Sequence, residues 1–85
     1  MSRKEDLYIK VKSSAANLTF KDLCKLAELT GFEYRRTSGS HKIYKHPKSG
    51  TTMNFQPVKN KAKPYQVKQL LDVISEYNLM GEKNV

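Results

Sequence analysis

The sequence predicts a small α/β domain in the order helix, three antiparallel strands, helix, with the two helices on one face of the sheet. Three observations support this. Apolar residues recur at helical spacing in two segments, Phe20, Leu23, Cys24 and Ala27, then Val67, Leu70, Leu71 and Ile74. Between them lie three short alternating runs separated by tight-turn residues. And 85 residues suffice for one modest core, not two. Two helices cover only one face of a three-stranded sheet, so the other face stays open.

Residues 1–18 read as an N-terminal extension, 19–79 as the domain and 80–85 as a flexible tail. In the extension, Leu7, Ile9 and Val11 alternate with polar residues as in a strand, while Leu7 and Val11 also fit i, i+4 of a helix. Both readings stand, and Ser13–Asn17 reads as a connector. Thr19 followed by Asp22 resembles a capping box opening a helix over 20–30, and Gly31 suits the left-handed residue that ends it.

The runs Phe32–Thr37, His41–His46 and Thr51–Gln56 are the expected strands, with Ser38-Gly39-Ser40 and Lys48-Ser49-Gly50 as turns. Phe32 and Tyr34 share one face, as do Met53 and Phe55. Ile43 reads as core, which would set His41 at the rim of the helix-facing side. Pro64 fits the first position of a helix running to Tyr77.

The formal net charge is +8, and it is concentrated. Tyr34–Leu71 carries nine Lys and Arg and no acidic residue. Such a surface attracts polyanions, so nucleic acid is the first expectation for a partner. A solvated lysine surface, or one that docks an acidic protein, is the plainer alternative. A single cysteine excludes an internal disulfide, and no apolar run approaches the length of a membrane span. The start of the chain lacks the apolar stretch of a secretory signal, so a cytoplasmic protein is expected.

His41 is the leading candidate for chemistry. Imidazole exchanges a proton near neutral pH, which suits cleavage of RNA through its 2′-hydroxyl without a metal. Arg36, Lys42 and Lys45 lie nearby in sequence to steady the phosphate. Spacing alone favours an ordinary surface histidine in a basic strand. His46 is five residues on, so a regular strand sends it to the opposite face. It reads as structural or as a peripheral phosphate contact.

Gly39 offers close backbone approach to a phosphate, with Ser38 and Ser40 as donors, although spacing alone favours a simple tight turn that needs a permissive residue. Lys59, Lys61 and Lys63 precede a helix N-terminus, where cations oppose the macrodipole unless an anion occupies the site; plain solvated charge fits the loop equally well. Tyr34, Tyr44 and Tyr65 are candidates for stacking on bases, at least one of them being core instead. Cys24 reads as a small core residue, and the spacing of Cys and His gives no zinc site.

The run Gly31-Phe32-Glu33, then Arg36-Thr37-Ser38-Gly39-Ser40-His41-Lys42-Ile43-Tyr44-Lys45-His46-Pro47, resembles the HicA toxin family, whose recognisable motif is Gly-Phe followed by Gly-Ser-His and an apolar or aromatic pair. Asn54-Phe55-Gln56-Pro57 with Lys61-Ala62-Lys63-Pro64-Tyr65-Gln66-Val67 is similar to a branch of that family. The resemblance covers about 17–79 and implies a double-stranded-RNA-binding-like fold. It also implies a toxin that cleaves or disables mRNA and is restrained by a HicB-type antitoxin; taken with the chemistry of His41, the reading is an endoribonuclease needing no cofactor. The resemblance maps the catalytic histidine onto His41 and the motif turn onto Gly39 and Ser40. Arg36, Lys42, Lys45, Lys59, Lys61 and Lys63 would then hold the RNA backbone. The rival readings are a non-catalytic RNA-binding module and a basic protein-interaction module.

Overall fold

The computed structural model describes residues 3–13 and 17–80. Its elements are α1 (Arg3–Ser13), α2 (Phe20–Leu29), β1 (Glu33–Ser38), β2 (His41–Lys45), β3 (Thr52–Phe55) and α3 (Pro64–Glu76). The expected α-β-β-β-α order is present, preceded by a further helix. The middle of the Ser13–Asn17 connector, residues 14–16, and the tail from 81 to 85 lie outside the described residues.

The N-terminal ambiguity resolves as helix. Glu5 and Asp6 occupy the first turn of α1 and Lys10 and Lys12 the last, the order that complements a helix dipole. A strand would put Leu7, Ile9 and Val11 on one face. In the helix Val11 is fully buried, Leu7 packs against the core and Ile9 turns to solvent. A Lys10–Asp22 pair at 3.0 Å ties α1 to α2, worth at most about 1 kcal/mol at an exposed site.

Thr19 caps α2, its hydroxyl accepting from the Asp22 N–H at 3.1 Å. At the other end Gly31 has φ +105°. Its N–H donates to Glu28 O, and that of Phe32 to Ala27 O, the paired bonds of a Schellman termination.

The strands form one antiparallel meander in the order β1-β2-β3. Its covered face presents Tyr44, Met53 and Phe55 to Leu23, Leu26, Val67, Leu70 and Ile74, all buried. Each large apolar side chain so buried contributes about 1.5–3 kcal/mol.

One expectation fails here. Ile43 is not core: Tyr44 is 1 % exposed and fills that role, while Ile43 is half-buried on the open face. The tyrosine ring fills the core beside Phe55, their centroids 5.7 Å apart. Its hydroxyl reaches out of the core to donate to the Glu28 carboxylate at 3.0 Å. The size of the aromatic, with a polar partner for its tip, outweighed the β-branched propensity of Ile43. The consequence is that His41, two residues from Ile43, stands on the open face.

Candidate active site

Cross-strand register defines the open face. Ser38 pairs with His41, Arg36 with Ile43, Asn54 with Ile43 and Thr52 with Lys45, and paired residues share a side of the sheet. His41 therefore has Arg36, Lys45 and Asn54 on its own face. A bulge at Arg35, between the Tyr34 and Arg36 pairings, sets this register.

The decisive contact is between His41 Nδ1 and Asn54 Oδ1, 2.8 Å apart. An amide oxygen only accepts, so Nδ1 carries the proton and Nε2 keeps its lone pair in the neutral ring. Among the described residues Nε2 has no hydrogen-bond partner. Asn54 is the residue that the sequence reading missed. The signal was its alternation with Met53 and Phe55, which puts it opposite the core, together with the meander register that brings β3 beside β2.

Asn54 is itself held from behind. β3 is an edge strand, and the buried Gln66 of α3 completes its outer edge. Gln66 Nε2 donates to Asn54 O at 3.0 Å, and its Oε1 accepts from Gln56 N at 3.1 Å. A side-chain amide thus replaces a fourth strand at this point. A second chain of bonds reaches the motif turn: Lys63 Nζ donates to Gln56 Oε1 at 2.8 Å, and Gln56 Nε2 to Ser40 Oγ at 3.1 Å. Lys63, far from His41 in sequence, is therefore linked to the residue just before it.

The basic loop is a built feature. Val58 and Lys61 exchange both backbone hydrogen bonds at 2.9 Å, closing a two-residue turn. Its centre is Lys59 at φ 51° and Asn60 at φ 67°. Asn tolerates that region, whereas Lys costs about 1 kcal/mol or more. The loop is stitched to the start of α2 by Phe20 N to Asn60 O and Ala62 N to Leu18 O, both 2.9 Å. Lys59 and Lys61 point their charge to solvent from this frame, and Lys63 is partly buried. Lys42 departs from the group: it pairs with Phe55 and Thr37 on the covered side, its ammonium 5.9 Å from the centre of the Tyr34 ring. Gly39, at φ +61°, forms the tight turn with open space where a Cβ would stand.

A family model for the HicA toxin of bacterial toxin-antitoxin systems matches residues 20–74, well over half of the chain. The chain belongs to the HicA toxin family. That makes it the toxin half of a bacterial toxin–antitoxin pair. No curated protein and no solved structure matches it. The matched segment of this HicA chain begins at α2 and ends within α3, so it contains the whole sheet and His41.

The second histidine of the HicA core does something else. His46 is 4 % exposed. Its Nδ1 accepts from Lys48 N at 3.2 Å and Ser49 N at 3.4 Å, while its Nε2 donates to Thr30 O at 3.0 Å. Phe32 meets its ring edge-on at 5.0 Å. It pins the β2–β3 turn to the end of α2, the structural one of its two expected roles. Cys24 is buried on α2, as expected of a core residue. Burial pushes its thiol pKa up, and burial followed by hydrogen bonding to Cys24 and Glu28 pushes the Tyr44 phenol up. Both groups stay protonated, so Cys24 is no nucleophile at neutral pH. Among the described residues no three His, Cys, Asp or Glu side chains gather as a metal site, and no helix is long and apolar enough to cross a membrane.

Proposed function

We propose that this toxin is a metal-independent endoribonuclease that cleaves mRNA in the cytoplasm, with His41 as its general acid or base and a HicB-type protein as its antitoxin. The observation that carries the reading is the His41–Asn54 bond on the open, cationic face. It leaves Nε2 as the reactive edge. In the first step Nε2 takes the proton of a ribose 2′-hydroxyl. The 2′-oxygen attacks phosphorus, the P–O5′ bond breaks, the leaving 5′-oxygen takes a proton from water, and the hydroxide so formed takes the proton held on Nε2, restoring the neutral ring. The products are a 2′,3′-cyclic phosphate and a 5′-hydroxyl end. Asn54 is a positioning residue, keeping the ring in one tautomer and one orientation.

Arg36 and Lys45 stand on the same face to hold the backbone and offset the crowding charge at phosphorus. Ser40 with Gly39, and Lys59, Lys61 and Lys63 from the loop, extend the backbone path. Lys42, on the covered side, adds to the general attraction for a polyanion.

The test is a gel of end-labelled RNA incubated with purified protein in EDTA. The wild-type chain should cut it. His41→Ala should lose about 10²–10⁴ in rate while keeping its circular dichroism and melting temperature. Full cleavage by that variant overturns the role of His41. RNA retained but uncut by the wild type, with binding that weakens steeply in salt, would make the chain an RNA-binding module instead.

A further inference from the structure

Beside His41 the sheet and α3 enclose an open cleft of about 520 Å3, within the range of small-ligand sites of about 300–1,000 Å3. Its lining is unusual for a chain of charge +8: no ammonium, guanidinium or carboxylate takes part. His41 and Asn54 form one wall, Tyr65 and Gln69 of α3 another, and Met53 and Val73 supply apolar surface. A phosphate has no cation to meet there. A flat, neutral group with hydrogen-bonding edges fits all of it.

The side chains are prepared for such a group. Tyr65, at the second position of α3, is 58 % exposed, a large aromatic side chain left in water. Its hydroxyl lies 3.5 Å from Gln66 Nε2, the same amide that clips β3, a long contact at the tip of the ring. The Gln69 side chain forms no hydrogen bond among the described residues, which leaves an amide donor and acceptor facing the cleft. Asn54 spends its oxygen on His41 and keeps its NH₂. We propose that this cleft is a nucleobase subsite, in which the base next to the scissile phosphate stacks on Tyr65 and is read along its edge by the amides of Gln69 and Asn54.

The inference rests on the RNA-cleaving reading for its place beside the reaction, and it gives that reading a source of base preference. Stacking on an aromatic side chain tolerates every base, whereas an amide pair distinguishes edges. Tyr65→Ala should therefore weaken use of all substrates, and Gln69→Ala should flatten the preference among them.

Two measurements test it. In the first, cleavage of a set of short RNAs differing at one base is compared for wild type, Tyr65→Ala, Tyr65→Phe and Gln69→Ala. Tyr65→Ala should lower kcat/KM about tenfold or more, Tyr65→Phe should hold it, and Gln69→Ala should change the ratio between bases. In the second, a 2′-O-methyl oligonucleotide, which cannot be cleaved, is titrated into 15N-labelled wild-type protein. The Gln69 side-chain amide and the Tyr65 backbone signal should shift. If the wild type cleaves RNA but no variant changes rate or preference, the subsite is wrong and the nuclease stands. If nothing is cleaved yet the titration shifts Tyr65 and Gln69, the subsite stands and the nuclease reading fails. A saturated titration that leaves both signals in place overturns the subsite.

Discussion

At one end of β2, His41 is half-buried, bonded through Nδ1 alone and open at Nε2. Just past the other end, His46 is buried, with bonds on both ring nitrogens and an aromatic ring against its edge. The same imidazole keeps one ring nitrogen without a partner in one case and spends both in the other. What separates them is the side of the sheet and the number of neighbouring backbone groups that need a partner. A histidine that satisfies three backbone groups has no nitrogen left for a substrate. One that rests on a single side-chain oxygen has.

The contrast is broken most forcefully at the buried end. His46→Ala strips Thr30 O and two amides of their partner and removes the contact to Phe32, a loss of about 2–4 kcal/mol. In a domain this small that lowers Tm by roughly 10–20 °C. Gly31→Ala should do the same from the other side. Its φ is in the left-handed region, and a Cβ there would stand 2.7 Å from His46 Nε2, so the cost is at least about 2 kcal/mol. Thermal melts of both variants give the loss. The point of comparison is RNA cleavage at a temperature where they remain folded, which should stay near wild type. His41→Ala should give the mirror result, normal melting and cleavage slowed by about 10²–10⁴. A His46→Ala protein that melts normally and fails to cleave would reverse the assignment of the two rings.

A smaller effect is expected at the open end. Asn54→Ala leaves His41 free to rotate and to change tautomer, and kcat should fall about tenfold, within the range of a lost positioning contact, while the loss of its NH₂ from the cleft also shifts the preference among bases. Asn54→Asp keeps an acceptor oxygen in place and should restore most of the rate. A fall shared equally by kcat/KM and thermal stability would instead make Asn54 a structural residue.

How much of this could be read from the sequence follows the same division. The helices α2 and α3 were legible because periodicity and end signals agreed: Thr19 caps, Gly31 terminates, Pro64 opens. The strands and their turns were legible for similar reasons, and the separation of His41 from His46 followed from parity. The side of the sheet on which His41 stands was not. Ile43 and Tyr44 are neighbours with comparable claims on the core, and only the packing of Tyr44 against Phe55 and its reach to Glu28 decide between them. Asn54, Gln66 and Gln56 were hidden for a different reason. Each acts across a separation of 10 to 16 residues, and uncharged amides carry no signal in composition or charge. The helix in the extension was half visible, since Leu7 and Val11 fit i, i+4 of a helix while Leu7, Ile9 and Val11 alternate as in a strand.

The smallest effect concerns the covered face, and its sign distinguishes it from the open one. Cys24 and Tyr44 have raised pKa values in the folded chain, chiefly through burial. In the unfolded chain they titrate near their ordinary values of about 8.5 and 10. Below that range both are protonated in both states, and the contribution to stability is fully present. As pH rises through it, the unfolded chain gives up these protons first, so unfolding becomes more favourable by up to about 1.4 kcal/mol per pH unit for each group. Stability should therefore decline from about pH 8.5 upward, measured as the urea midpoint at each pH. Tyr44→Phe loses the bond to Glu28 and should start about 1 kcal/mol lower at pH 7. It also has no phenol to ionise. Its decline above pH 9 should be shallower, and the two curves should draw together. If they stay parallel, the Tyr44 hydroxyl is not the buried acid that its position between Cys24 and Glu28 makes it, and the polar tip that put Tyr44 rather than Ile43 in the core does not explain the orientation of His41.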